Sequence, residues 1–218
     1  MTPDTALVRY GEQVMSTTSA RPSASVRAAD TREALLVAAH DLLATEGAGA
    51  LTVRRIAAAA GMSTMNVYSR FGGKDGVLDE LFVDGFRRLG ETMEASPESD
   101  DPLEDLRQCG ACYRRFAREN ATYYSLMFDR VVPDFQPSPE ATATAMAALG
   151  QVAARVQRAM DAGLLAPGDA FTVAAGLWAC EHGIASLEAR TQTDADAFDW
   201  DTIAPLTVDA LIRGLAAR

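Results

Sequence analysis

Past about residue 26, nearly every segment repeats its apolar side chains at the three-and-four spacing of an α-helix, and few β-branched runs alternate at period two. Glycine and proline are expected to fall between the helices and punctuate them. A chain patterned this way buries stripes of side chains and has no sheet face to cover, so the fold class is all-α.

The punctuation divides the chain. Asp30 followed by Glu33 has the form of a capping box, which predicts a first helix over 31–46 with Leu35, Ala39, Leu42 and Leu43 inside and Gly47 as its stop. A helix over 75–95 should end before Ser96-Pro97, and the next should start after Asp101-Pro102, proline suiting a first helical position. Pro133, Pro137 and Pro139 mark a loop, followed by an alanine-rich helix up to Gly163. Pro167-Gly168 opens a helix to about 190, an acidic loop covers 191–201, and a last helix occupies 202–217. Residues 1–26, rich in Ser, Thr, Ala and Pro, read as a disordered N-terminal arm, with Met15 an alternative start to Met1.

Charge sharpens the division. The 218 residues carry a net −10, which taken whole argues against a nucleic-acid partner. Residues 27–76, however, hold six basic against five acidic side chains (+1), while residues 77–218 hold 12 against 23 (−11). A DNA-facing surface therefore belongs in 27–76, with 77–218 as a separate, acidic helical domain.

Other classes find little support. No apolar run is long enough to span a membrane and the start lacks a signal-peptide pattern, so a cytoplasmic protein with no membrane partner is expected. Cys109, Cys112 and Cys180 are too few for a disulfide framework and read as thiols. Cys109 and Cys112 form a C-x-x-C in a helical stretch without the βαβ context of a redox motif. No phosphate loop, H-E-x-x-H, G-x-S-x-G or paired E-x-x-H occurs, so no enzyme, no cofactor and no metal are expected.

Residues 52–71, TVRRIAAAAGMSTMNVYSRF, have the layout of a helix-turn-helix. Thr52 can cap a short helix whose Ile56, Ala57 and Ala60 face inward, the small alanines letting a second helix cross closely. Gly61 closes that helix, Met62 packs under the turn, Ser63 caps the next helix, and Val67 returns one apolar side chain to the core. That leaves Thr64, Met65, Asn66 and Tyr68 facing outward, where a recognition helix offers its first turn to the major groove. Asn66 suits base edges, Met65 a thymine methyl, Thr64 a base or a phosphate, and the Tyr68 hydroxyl a phosphate. Lys74 sets a cation beside a helix N-terminus, and Arg54, Arg55 and Arg70 can add backbone contacts. The plain alternative is a tight helical hairpin with no DNA role.

Residues 31–82 closely resemble the DNA-binding domain of the TetR family in the A-x-x-A-G-M-S turn, Tyr68 followed by Arg70-Phe71, Lys74 and Leu78. The resemblance implies phosphate contacts from Thr52, Tyr68 and Lys74, with Thr64, Met65 and Asn66 nearest the bases. Arg70 stands where histidine is common, and Gly72-Gly73 replaces the usual polar cap before Lys74. Trp178-Ala-Cys-Glu-His182-Gly183 and the aromatic stretch from Tyr113 to Phe128 are similar to the WHG-type ligand-binding domain of one branch of that family.

The helix expected over 168–190 is apolar on two faces and so must be covered on both. With the last helix it can form half of a four-helix dimer interface, to which Ile184, Leu187, Leu206, Leu211 and Leu215 are assigned; a monomeric core helix is the alternative. Tyr113, Phe116, Tyr124, Met127, Phe128, Met146, Trp178 and His182 are candidates for the wall of a ligand cavity, which the resemblance implies; such side chains at helical spacing are otherwise plain core. His182 reads as an internally hydrogen-bonded histidine rather than a metal ligand. With the resemblance, which is what implies repression and an effector cavity, these readings point to a repressor that binds a palindromic double-stranded operator as a homodimer and is released by a small, largely apolar effector, whose identity stays open. The alternatives are a helical interaction protein without sequence-specific DNA binding and a thiol-based redox-sensing regulator.

Overall fold

A computed structural model describes residues 24–96, 99–191 and 198–217. Among them nine α-helices follow one another: α1 (Ala24–Glu46), α2 (Val53–Ala59), α3 (Thr64–Phe71), α4 (Lys74–Glu94), α5 (Pro102–Glu119), α6 (Ala121–Phe128), α7 (Pro139–Asp161), α8 (Ala170–Thr191) and α9 (Trp200–Gly214). A single 3-10 turn, Ala48–Ala50, separates α1 from α2. The described helices include none long and apolar enough to cross a membrane.

Most ends lie where side-chain chemistry fixes them. The Asp101 carboxylate accepts from the backbone N–H of Leu103 and Glu104 while Pro102 occupies the first position of α5, and Ser138 caps α7 in the same way ahead of Pro139. Gly47, Gly61 and Gly163 have φ of 77°, 66° and 70°, the left-handed conformation that ends α1, α2 and α7.

Three sequence expectations need correction. Helix α1 is under way at Ala24, so Asp30 and Glu33 lie inside it and form no cap; the rest of the expected arm lies outside the described residues. The stretch through Tyr113 to Phe128 is two helices, because Asn120 leaves helical geometry (φ −127°, ψ 46°) and redirects the chain into α6. Glycine and proline also occur within helices, Pro205 inside α9 and glycines where helices approach closely. A Cβ at Gly85 would lie 2.7 Å from the Met127 sulfur, so α4 and α6 touch there.

Two clusters make up the interior. One runs from Leu35, Ile56 and Val67 through Leu78, Leu81 and Phe86 to Phe116, joining the N-terminal helices to the bundle. The other gathers Leu106, Val156, Leu177, Ile184, Val208 and Ile212 from α5, α7, α8 and α9. Helix α4 enters the first cluster along its whole length, from Val77 to Met93, and is one rigid piece shared by the two functional regions.

Candidate functional sites

Helix α3 owes its position to few interactions. Thr52 Oγ1 accepts from the Arg55 N–H and starts α2; the backbone N–H of Met62 then donates to the Ala57 carbonyl at 2.8 Å, closing the turn. Val67 is fully buried while Met65 is 70% and Tyr68 55% exposed, so α3 is anchored by its inner side and presents the other. Thr52, Arg54 and Thr64 are exposed too.

Ser63 occupies the N-cap of α3 without making a side-chain cap bond. Its hydroxyl instead accepts from the Asn66 amide at 3.2 Å, and the Asn66 carbonyl oxygen accepts from Arg70 at 3.2 Å. Asn66 is thereby oriented along the helix, and Arg70 spends its guanidinium on Asn66 and Ser69. The half-buried Lys74 opens α4, after Gly72 and Gly73 with φ of 73° and 152°. Gly76 is a requirement that sequence reasoning missed: a Cβ there would lie 1.8 Å from the Phe71 carbonyl oxygen, so only glycine lets α4 start across the end of α3. Arg32 of α1 locks this corner. It donates to the Arg70 carbonyl at 3.1 Å, pairs with Glu80 and lies 4.7 Å above the Phe71 ring.

A cavity of about 160 Å3 opens within the bundle. Phe86, Leu89 and Met93 of α4 wall one side and Tyr113 of α5, Phe128 of α6 and Trp178 of α8 the other, while α7 supplies Met146 and Val152. Four of the eight expected residues, Tyr113, Phe128, Met146 and Trp178, are therefore at its wall. The others are elsewhere: Phe116 is buried in the core, Met127 packs against Gly85, and Tyr124 and His182 bond to each other. Tyr124 lies one turn before Phe128 on the same face of α6, its ring 5.0 Å away, but its hydroxyl turns to His182 and it lies behind the wall, while Met127 meets Gly85 of α4.

His182 is hydrogen-bonded within the protein. Its Nδ1 lies 2.8 Å from the Tyr124 hydroxyl and 3.0 Å from that of Tyr113. Burial lowers its pKa, which favours the neutral imidazole there. The ring also lies among Phe128, Trp178 and Tyr124, with centroids 5.0–5.7 Å away.

Cys109 and Cys112 are buried in α5, and desolvation pushes the Cys109 thiol up to about 11, the opposite of what a reactive thiolate needs. Among the described residues no group of three or more His, Cys, Asp or Glu side chains is placed to hold a metal ion.

Helices α8 and α9 leave one side of the bundle uncovered. Leu187 is 53% and Leu206 62% exposed, and a Cβ at Gly176, Gly183 or Gly214 would meet no atom within 4 Å. Ile184 is buried in the protomer's own second cluster, and Leu211 and Leu215 are half-buried against that cluster. Sequence reasoning also passed over two buried carboxylates on α8, Glu181 and Glu188. Glu188 receives two bonds from Arg114, at 2.6 and 3.0 Å, and Arg114 further donates to Asp201 at 2.9 Å.

Comparison with known proteins agrees with this arrangement. The profile of bacterial regulatory proteins of the tetR family matches residues 35–81, and that of the tetracyclin repressor-like C-terminal domain matches residues 106–211, together more than half of the chain. The HTH-type transcriptional regulator Rv1816 of Mycobacterium tuberculosis is 28% identical over 104 residues, 46% of this chain and 44% of that protein, so the match spans less than half of this curated relative. A solved protein of unknown function from Rhodococcus sp. RHA1 is 25% identical with a TM-score of 0.76, over 92% of this chain and 99% of the other. The TetR family transcriptional regulator PfmR from Thermus thermophilus shares the fold at 23% identity and a TM-score of 0.61, over 83% and 98%. With a helix-turn-helix at its N-terminus and a tetracyclin repressor-like domain after it, the chain belongs to the TetR family of bacterial regulatory proteins.

Proposed function

We propose that the protein is a homodimeric repressor that reads a palindromic operator through α3 and leaves it when a small, largely apolar effector enters the bundle. The observation that carries the reading is one short helix held by the buried Val67 while Met65 and Tyr68 stand in solvent, on the same chain as an apolar cavity. Exposed apolar side chains on a recognition helix cost solubility and are kept where a thymine methyl or sugar covers them. Thr64, Met65 and Asn66 read bases, and Thr52, Arg54, Tyr68 and Lys74 hold phosphates. Arg70 acts through Asn66, whose carboxamide it orients.

One α3 covers too few base pairs for useful specificity, so a second protomer is required, with reading helices about 34–36 Å apart. The uncovered side of α8 and α9 suits this. Gly176, Gly183 and Leu187 recur on α8, and Leu206 and Gly214 on α9, small residues that let helices approach with leucines to bury between them. The domains then divide as 27–76 for DNA and 77–218 for effector and partner, with α4 crossing the boundary.

The test is anisotropy titration of the protein against duplex DNA flanking its own gene, at several salt concentrations. Asn66→Ala should relax base preference by about 1–3 kcal/mol, and Lys74→Ala should weaken all sequences alike and flatten the salt slope. Parental binding by both variants would refute the reading.

A further inference from the structure

Glu181 and Glu188 lie seven residues apart on α8, both face α5, and both are more than nine-tenths buried. Helix α5 answers only one of them. Opposite Glu188 it carries Arg114, which takes both carboxylate oxygens. One turn earlier it carries Gly110, and a Cβ there would lie 1.9 Å from Glu181 Oε1. The sequence thus makes room for the Glu181 carboxylate without setting a hydrogen-bonded cation on it, Arg114 acting on it only through space. No hydrogen bond or ion pair to it is found among the described residues. Arg114 and Arg107, on the cleft at its other side, are paired with Glu188 and Asp201 and with Asp209, and Arg155 of α7, which acts on the neighbouring Cys109, gives its hydrogen bonds to the Gln151 and Met93 carbonyls.

The carboxylate borders a cavity. A smaller space of about 40 Å3 lies between Gly110, Cys109, Leu177 and Glu181, and it shares Met93, Tyr113, Val152 and Trp178 as walls with the 160 Å3 cavity. The two adjoin across those side chains as one largely apolar chamber, whose lining holds a single carboxylate, that of Glu181. On its other side Glu181 borders the cleft that holds Arg107, Arg114 and Asp201.

We propose that Glu181 selects the effector: the molecule this chamber takes carries a protonated amine, or an equivalent cationic hydrogen-bond donor, on an apolar body. The proposal rests on the reading of the chamber as the effector site and adds the chemistry of its polar end. This carboxylate keeps little access to solvent, so its charge is costly there, and a ligand that brings a hydrogen-bonded cation offsets that cost as it binds. The apolar body fills the space among Phe86, Phe128 and Trp178, whose ring faces also favour a cation on its way in. An anionic ligand would set a second negative charge against the first, and a neutral alcohol would leave the charge unanswered.

Three probes with one body and different heads test this: octylamine, octanol and octanoate, titrated calorimetrically into the intact protein at about pH 8, where Glu181 is ionised. Octylamine should bind about tenfold or more tightly than octanol, and octanoate more weakly than either. Glu181→Gln should bring octylamine to the affinity of octanol while leaving octanol unchanged. Gly110→Ala, which fills the notch and displaces the carboxylate, should act in the same direction without removing it. Ala145→Phe fills the larger space and should weaken octanol and octylamine alike. If Ala145→Phe abolishes octanol binding and the parent shows no preference for the amine, the chamber remains the effector site and the role of Glu181 is wrong. An amine preference that survives Glu181→Gln, or octanoate binding as tightly as octylamine, overturns it as well. If no probe binds, or Ala145→Phe leaves octanol untouched, the chamber reading falls and this proposal falls with it.

Discussion

The imidazole of His40 on α1 lies 4.8 Å from the phenol ring of Tyr123 on α6, and the Tyr123 hydroxyl donates to Asp84 of α4 at 2.6 Å. Burial and the Asp84 charge push that phenol up to about 12, so it remains a donor throughout the physiological range. Helix α6 carries Phe128 at the cavity wall and Tyr123 against α1, and α1 holds the end of the recognition helix through Arg32. On the proposed reading, a ligand that displaces Phe128 is expected to shift α1 through this one short helix. Tyr123→Ala should leave operator binding and ligand binding close to the parent's separately, but reduce the factor by which either weakens the other. Ligand affinity measured with and without saturating operator gives that factor directly; an unchanged factor would remove α6 from the path.

Glycine substitutions should have opposite signs at two helical positions. Gly76→Ala drives a methyl group into the Phe71 carbonyl, a backbone atom that cannot step aside, so α4 must shift away from α3. A loss of at least about 1–3 kcal/mol is expected, together with loss of operator binding. At Gly150, inside α7, an added Cβ meets nothing within 4 Å, and alanine should stabilise by about 0.5–1 kcal/mol. Denaturant midpoints of the two variants check both; a neutral Gly76→Ala would contradict the close crossing at the corner.

Much of this was legible in the sequence, for definable reasons. The helix-turn-helix rests on local signals, a threonine cap, a glycine stop and one inward valine, and each acts within a few residues. Thr52 and Val67 take the predicted roles because no distant contact competes for them. The cavity wall depends on the phase between helices, and a one-residue break at Asn120 sets that phase. Asn120 looks like any polar helix residue, and spacing does not show that the Tyr124 hydroxyl turns to His182 or that Met127 meets Gly85 while Phe128 reaches the cavity. Glu181 escapes notice for a related reason. Leu177, Glu181, Ile184 and Glu188 share a helical face, and an acid in such a stripe signals either a partner or a function, but which one depends on the Gly110 and Arg114 of another helix.

The oligomer can be probed without disturbing the protomer. Gly183→Trp meets no atom within 4 Å of its Cβ in the subunit, and Leu206→Asp replaces a side chain that is 62% exposed. Neither should lower the helical content of the chain. Across a close-packed interface the first is an obstruction and the second a buried charge, each costing several kcal/mol, on the order of 2–5. Sedimentation velocity should show folded monomers with lost operator affinity. Dimers of unchanged stability in both variants would move the interface away from α8 and α9.

The unanswered carboxylate should also appear in the dependence of stability on pH. Burial pushes Glu181 up to about 7, with Arg114 pulling in the other direction. The groups around it are Arg107, Arg114, Cys109 and Tyr113 of α5, Asp201 of α9, Cys180 of its own helix and, beside Cys109, Arg155 of α7; the thiols and the phenol are themselves raised by burial and stay neutral near pH 7. A raised folded-state value means that the native protein holds this proton where the unfolded chain has lost it. The contribution is therefore complete below the ordinary carboxylate range, declines as pH rises towards about 7, and is absent above that. Asp84 and Asp105, held below their ordinary values, contribute in the opposite direction and at lower pH, so the difference between parent and variant is the useful quantity. Glu181→Gln keeps the shape and removes the titration. Its melting temperature should exceed the parent's at about pH 8 and approach or fall below it near pH 5, a relative change on the order of 1–3 kcal/mol. Saturating octylamine should narrow the gap at the higher pH, because the amine supplies to the parent what the variant no longer needs. Parallel melting curves across this range would mean that the carboxylate already has a partner in solution, and its assignment to the effector would be withdrawn.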